Sequence, residues 1–183
     1  MPDYKTPGVY IEETSAFPPS VVGVPTEIPC FIGYTEKAID AEGHDLRLIP
    51  TAITSLADYA QFFGGGRPPC FYLTTDPIPA GDADWGVAQL GSSGARLAEI
   101  AGTRFNLHEG IRLFYANGGI QCFVVSCGTY GGTFPPPPIE AGALRSGVAA
   151  AANVVGPSMT VTPDLVLLAD PADSAALAVE MLT

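Results

Sequence analysis

Basic residues are scarce in this 183-residue chain, where 8 Lys and Arg stand against 19 Asp and Glu for a formal net charge of −11. Binding to DNA, RNA or an anionic membrane through a basic surface is therefore not expected, because neutralising phosphates needs clustered positive charge. No apolar run approaches the roughly 18 residues of a membrane-spanning helix, and Met1-Pro2-Asp3-Tyr4-Lys5 lacks the apolar core of a signal peptide. Direct membrane insertion is not expected, and synthesis in the cytoplasm is. Histidine occurs only twice, as His44 and His108, with no companion spacing for a metal or a catalytic relay. The four cysteines, Cys30, Cys70, Cys122 and Cys127, form no CxxC pair, which argues against zinc and thiol-disulfide chemistry. Buried, inert thiols are the expectation, with Cys122 and Cys127 on opposite faces of one strand.

What the chain does have is apolar surface and turn residues. Hydrophobic residues make up 47% of it, and a chain of this size buries roughly 70% of its unfolded surface. With Gly 21 and Pro 18, many loops and at least one extended arm are expected. Residues 1–25 read as that arm and its linker. Tyr4 to Glu13 is a short β-favouring stretch, with Val9 and Ile11 on one side and Tyr10 and Glu12 on the other. Phe17-Pro18-Pro19 and Pro25 stiffen the connector behind this strand and leave it no local hairpin partner.

Residues 26–183 read as an α/β domain, a mixed sheet flanked by helices. Ile28 to Tyr34 is a buried strand restricted at its start by Pro29, and alternating Asp45 to Ile49 predicts a second. Thr54-Ser55 caps a short helix, Leu56 to Phe63, which Gly64-Gly65-Gly66 stops. Arg67 to Ser93, rich in Pro and Asp and carrying Trp85, reads as an irregular insertion. A helical run starts at Ala95, weakens at Gly102 and restarts at Asn106, whose spacing to Glu109 is that of a capping box. Leu107, Ile111, Phe114 and Tyr115 form its apolar face, and Asn117-Gly118-Gly119 its stop. Ile120 to Cys127 then reads as a central strand covered on both faces. Thr129 to Pro138, with four consecutive prolines, is a surface loop of polyproline type. Glu140 to Val155 is helix-prone, Leu165 to Ala169 reads as a buried strand, and Asp170-Pro171 opens a final helix that runs to the end of the sequence.

No catalytic constellation emerges. Gly64-Gly65-Gly66-Arg67 and Gly131-Gly132 lack the Lys-Ser/Thr of a phosphate loop, and Gly118-Gly119 follows a helix instead of preceding one. Asp76, Asp82 and Asp84 match neither a calcium loop nor a glycosidase pair. Ser93-Gly94 lacks the earlier glycine of a nucleophile elbow. Catalytic, metal and cofactor sites are thus expected to be absent. The arm is the unusual feature: ordering its backbone costs about 1–2 kcal/mol per residue, and burying Val9, Tyr10 or Ile11 returns about 1.5–3 kcal/mol each. Alone it is marginal, but added to a neighbour's sheet edge and repeated through a polymer it becomes effective.

Several blocks, in order, resemble one family. Pro7-Gly8-Val9-Tyr10-Ile11-Glu12-Glu13 and Ile28-Pro29-Cys30-Phe31-Ile32-Gly33-Tyr34-Thr35 resemble the amino-terminal segment of the contractile tail sheath proteins of phages and phage-tail-like injection systems. Ile53 to Tyr59 through Phe63-Gly64-Gly65 is similar to the next block. Arg112-Leu113-Phe114-Tyr115-Ala116-Asn117-Gly118-Gly119, followed by Cys122 to Ser126, is similar to the most specific one, with Arg112, Phe114, Asn117, Gly118 and Gly119 as motif residues. Asp164 to Asp170 fits the strand that comes next in the family.

The resemblance implies a structural subunit, made in the bacterial cytoplasm, that stacks as helical rings around an inner tube and shortens when triggered. Val9, Tyr10, Ile11, Glu12 and Glu13 would join a neighbour's sheet. The implied partners are further copies of the chain, the inner tube protein, and baseplate and terminal cap proteins, in a phage tail or a released phage-tail-like particle. Contraction would draw on stored conformational free energy, with no nucleotide hydrolysed. Family members continue well beyond this length, so the chain is expected to stop inside the conserved domain. The rival expectations are a ring-forming or capping adaptor that does not contract, and a small α/β ligand-binding enzyme using the glycine turns.

Overall fold

A computed structural model describes residues 28–90 and 93–182; the expected arm, Val9 to Glu13 included, lies outside the described residues. In chain order the elements are β1 (Pro29–Thr35), β2 (Thr51–Ile53), α1 (Leu56–Phe63), β3 (Phe71–Thr74), β4 (Ala83–Leu90), β5 (Ser93–Glu99), α2 (Leu107–Ala116), β6 (Cys122–Thr129), α3 (Ala141–Ala152), β7 (Met159–Val161), a 3₁₀ turn (Pro163–Leu167) and α4 (Pro171–Glu180). The fold is α/β. One mixed sheet has the order β2-β6-β1-β7, and a second, antiparallel sheet has the order β3-β5-β4.

The run of apolar residues through β1 leaves all seven buried, as a strand covered on both faces requires. β1 pairs parallel with β6, Cys30 opposite Phe123 and Ile32 opposite Val125. Alternation then splits the core. Phe31, Cys122 and Val124 point toward α1 and α2, where they meet Tyr59, Phe63, Leu107 and Ile111. Cys30, Ile32 and Val125 point the other way and pack with Ala151 of α3. Cys122 and Cys127 thus lie on opposite faces, as read from the sequence. Gly147 explains how α3 comes so near the sheet: a Cβ there would lie 2.6 Å from the Ile32 side chain and collide with the Cys127 sulfur.

α1 forms as its cap predicts, with the Ser55 hydroxyl accepting the Asp58 N–H at 3.1 Å and Gly64 ending it at φ 82°. Asp170 accepts the N–H of Ala172 and opens α4 with Pro171 behind it.

Several expectations are corrected. Asp45 to Ile49 is not a strand: it makes only isolated bridges at Asp45 and Arg47, and Leu48 turns the chain at φ 58°. Arg67 to Ser93 is not irregular throughout; it supplies β3 and β4, and the run expected as a helix from Ala95 is β5. Alanine, leucine and glutamate favour a helix in isolation, but pairing of Leu97 with Leu73 and of Ala95 with Ala88 overrides that preference. Leu165 to Ala169 is not a strand; Pro163 to Leu167 winds into the 3₁₀ turn, and the strand beside β1 is Met159 to Val161. The last helix ends at Glu180, with Met181 as its cap. The capping box is absent: Asn106 has helical φ and ψ and makes no side-chain cap, and Glu109 bonds Arg112 instead.

Candidate assembly surface

The N–H groups at the start of α2 are held from a distance in sequence. Asp164, fully buried, accepts the Asn106 N–H at 2.6 Å and the Tyr34 N–H at 2.8 Å, and Leu107 also donates to it. One carboxylate therefore ties the 3₁₀ turn to the end of β1 and to the positive end of a helix. Burial pushes its pKa up, and the backbone donors pull against that shift. Sequence reading missed this role; the acidic residue next to Pro163 was the only signal, and nothing local connects it to Asn106.

Arg112, Phe114, Asn117, Gly118 and Gly119 lie along the second half of α2 and just past its end. Arg112 is exposed and bonds Glu109 through Nε at 2.8 Å, and that guanidinium holds the Glu109 carboxyl below the usual range. Phe114 sets its ring edge-on to Phe31, 5.7 Å between centroids. Asn117 caps the helix, its Nδ2 donating to the Leu113 carbonyl at 2.7 Å. Gly118 takes φ 89°, and Gly119 lies so close to the Phe114 ring that a side chain there would overlap it.

Phe114, Asn117, Gly118 and Gly119 line an open groove of about 510 Å³, completed by Phe31, Leu113, Val161 and Pro163. Val161 ends β7, and β7 pairs with β1 on one side only. Along its other side the strand has no partner among the described residues. The same holds for β2 at the far edge of the sheet. Backbone N–H and C=O groups at such edges can receive a further strand. An incoming strand on β7 would lie beside an apolar groove whose floor includes the Phe114 ring.

Several titratable side chains have partners of their own. His44 and Asp40 sit in an exposed turn in which the Asp40 carboxylate accepts the N–H groups of Glu42 and His44 and the His44 ring nitrogen. Desolvation pushes Asp40 up, and the bonds from His44 outweigh it, leaving its pKa lowered. Asp40, Glu42 and His44 are the one cluster of metal-binding type among the described residues; the Asp40 carboxylate and the His44 ring bond each other in this turn, whereas Glu42 enters it through its backbone N–H. His108 lies on α2 against the Tyr59 ring. Asp82 accepts from the Tyr72 hydroxyl and the Ala101 N–H, and Asp84 pairs with Arg96. Burial pushes Cys30 and Cys127 up to about 12 and Cys122 to about 11, so these three are thiols at neutral pH.

No known protein family matches this sequence, and no similar protein is found among curated ones.

Proposed function

We propose that the chain is a subunit of a contractile tail sheath, polymerising as helical rings around an inner tube and shortening to drive that tube through a target envelope. The observation that carries the reading is the groove beside the open edge of β7. Motif residues from a helix end line it, and a strand with one edge unpaired among the described residues borders it. Those sequence blocks of the resemblance that lie within the described residues also meet in one body. Cys30 to Thr35 pairs with Phe123 to Thr129, and Thr51 to Ile53 pairs with Cys122 to Val124.

A strand from a neighbour, Val9 to Glu13, would add to such an edge through main-chain hydrogen bonds. Alternate side chains would supply apolar contact. One such joint is weak, and many identical joints in a lattice are not, because each bound arm raises the effective concentration of the next. If the contracted lattice satisfies every interface better than the extended one, the difference per subunit, multiplied along the sheath, drives shortening without a nucleotide.

Electron microscopy of the full-length gene product, intact and lacking residues 1–15, tests this. Tubes from the intact protein that disappear in the deletion are the expected result. Normal tubes from the deletion would refute the arm's role. Monodisperse monomers from both would refute polymerisation, and single rings without stacking would favour a non-contractile adaptor.

A further inference from the structure

The parallel strands β6, β1 and β7 all begin at one end of the main sheet, and that end carries exposed apolar side chains. Ile120, two residues before β6, is 83% exposed, and Val155, in the connection from α3 to β7, is 100% exposed. Met159, the first residue of β7, is 48% exposed. Pairing gathers them from distant parts of the sequence. Met159 stands opposite Pro29, and the Ser158 N–H donates to the Ile28 carbonyl at 2.9 Å. A Cβ on Gly156 would lie 3.4 Å from the Phe123 ring, which sets the α3–β7 connection beside the start of β6 as well. Single exposed apolar side chains are ordinary on a protein surface, whereas several at one end of one sheet mark a place that something covers.

Where the chain joins this end decides the occupant. Residues 1–27 lie outside the described residues, and they join at Ile28, whose N–H donates to Ser158 Oγ at 3.0 Å. They therefore enter the domain at the end that carries Ile120, Val155 and Met159. Just upstream, Phe17-Pro18-Pro19-Ser20-Val21-Val22-Gly23-Val24 has a phenylalanine, three valines and no charge. Val24 is four residues from Ile28 and Phe17 eleven, which extended chain converts to reaches of about 14 Å and about 37 Å. Three neighbouring strands span about 10 Å, so the segment is long enough to cross all three. Covalent attachment gives it a local concentration on the order of millimolar, which a free partner lacks. Pro18, Pro19 and Pro25 reduce the conformational freedom it loses when it docks.

We propose that Phe17 to Val24 folds back onto this end of its own sheet and covers Ile120, Val155 and Met159. Val22 and Val24, two apart and thus on one side of an extended segment, make the contact. Such docking fixes the point from which residues 1–16 leave the domain. It lies within one chain, uses none of Val9 to Glu13, and survives or fails separately from the sheath reading.

Val22→Cys in the full chain puts a thiol in the segment, one small apolar side chain for another. Its rate of alkylation by iodoacetamide, read residue by residue by mass spectrometry, should be at least tenfold slower than in Val22→Cys/Val155→Asp. Val155 is fully exposed, so the aspartate should leave the domain folded, with Cys30, Cys122 and Cys127 alkylated as slowly as before. Ile120→Asp serves if that variant does not fold. A tenfold excess of the unmodified chain, added to Val22→Cys/Val155→Asp, should not slow alkylation at position 22. Equal rates with and without the aspartate would overturn the proposal, because the segment then does not rest on Val155. A rate that falls on adding the unmodified chain would overturn it too, by assigning the patch to a segment from a second copy.

Discussion

Replacing Asp164 tests the joint between the 3₁₀ turn, β1 and α2. In Asp164→Asn one oxygen still accepts, but the other becomes an NH2 that meets a backbone N–H, donor against donor. The Asn106 N–H at 2.6 Å and the Tyr34 N–H at 2.8 Å approach different oxygens, so one of them is orphaned in either orientation of the amide. A buried unsatisfied donor costs about 1–3 kcal/mol. Asp164→Ala orphans these two and the Leu107 N–H and leaves a void, so about 3–5 kcal/mol is expected. At about 2–4 °C per kcal/mol for a chain of this length, the asparagine variant should melt about 2–12 °C lower. Chemical denaturation gives the free energies, and amide exchange at Tyr34 and Asn106 should accelerate ahead of the rest of β1 and α2. Acidification adds a signed test. Because burial raises the folded pKa above the unfolded value of about 3.9, the folded state holds its proton to higher pH. This contribution is fully present below the unfolded pKa and is lost as pH rises through the folded one. The gap between wild type and Asp164→Asn should therefore widen as pH falls through that interval. A variant within about 0.5 kcal/mol of wild type, or a gap that narrows on acidification, would refute the reasoning.

Two glycines of α3 should respond with opposite sign. Gly142 has open space around it, and Gly142→Ala should stabilise by about 0.5–1 kcal/mol, whereas Gly147→Ala forces a methyl into Ile32 and Cys127 and should cost about 1–3 kcal/mol, both read by denaturant titration. Gly118→Ala places a side chain at φ 89°, and a loss of about 1–2 kcal/mol is expected by the same measurement. Cys30, Cys122 and Cys127, pushed up to about 12, 11 and 12, expose about one thiolate in a thousand or fewer at pH 8. Ellman's reagent should therefore label no more than Cys70 in the native protein and all four after denaturation; rapid labelling of two or more would contradict the burial described.

The elements legible in the sequence are those whose stabilisation is local or whose pattern is unbroken. Ser55 with Asp58, Asp170 with Pro171, and Asn117-Gly118 mark helix ends because caps act within a few residues. β1 and β6 show as continuous apolar runs because both their faces are covered. The motif residues Arg112 to Gly119 could be placed at one helix end, since helical spacing alone gathers them. What tertiary structure decided is where local preference and long-range pairing disagree. Ala95 to Glu99 prefers a helix and becomes a strand because Phe71 to Thr74 and β4 lie on either side of it. β7 is three residues long, too short for a periodicity, and exists because β1 offers an edge. Asp164 caps a helix that begins more than fifty residues earlier in the chain, a contact that only folding creates. The groove beside β7 and the apolar end of the sheet at Ile28 belong to the same class: each joins elements remote in sequence, and no spacing rule along the chain can encode that.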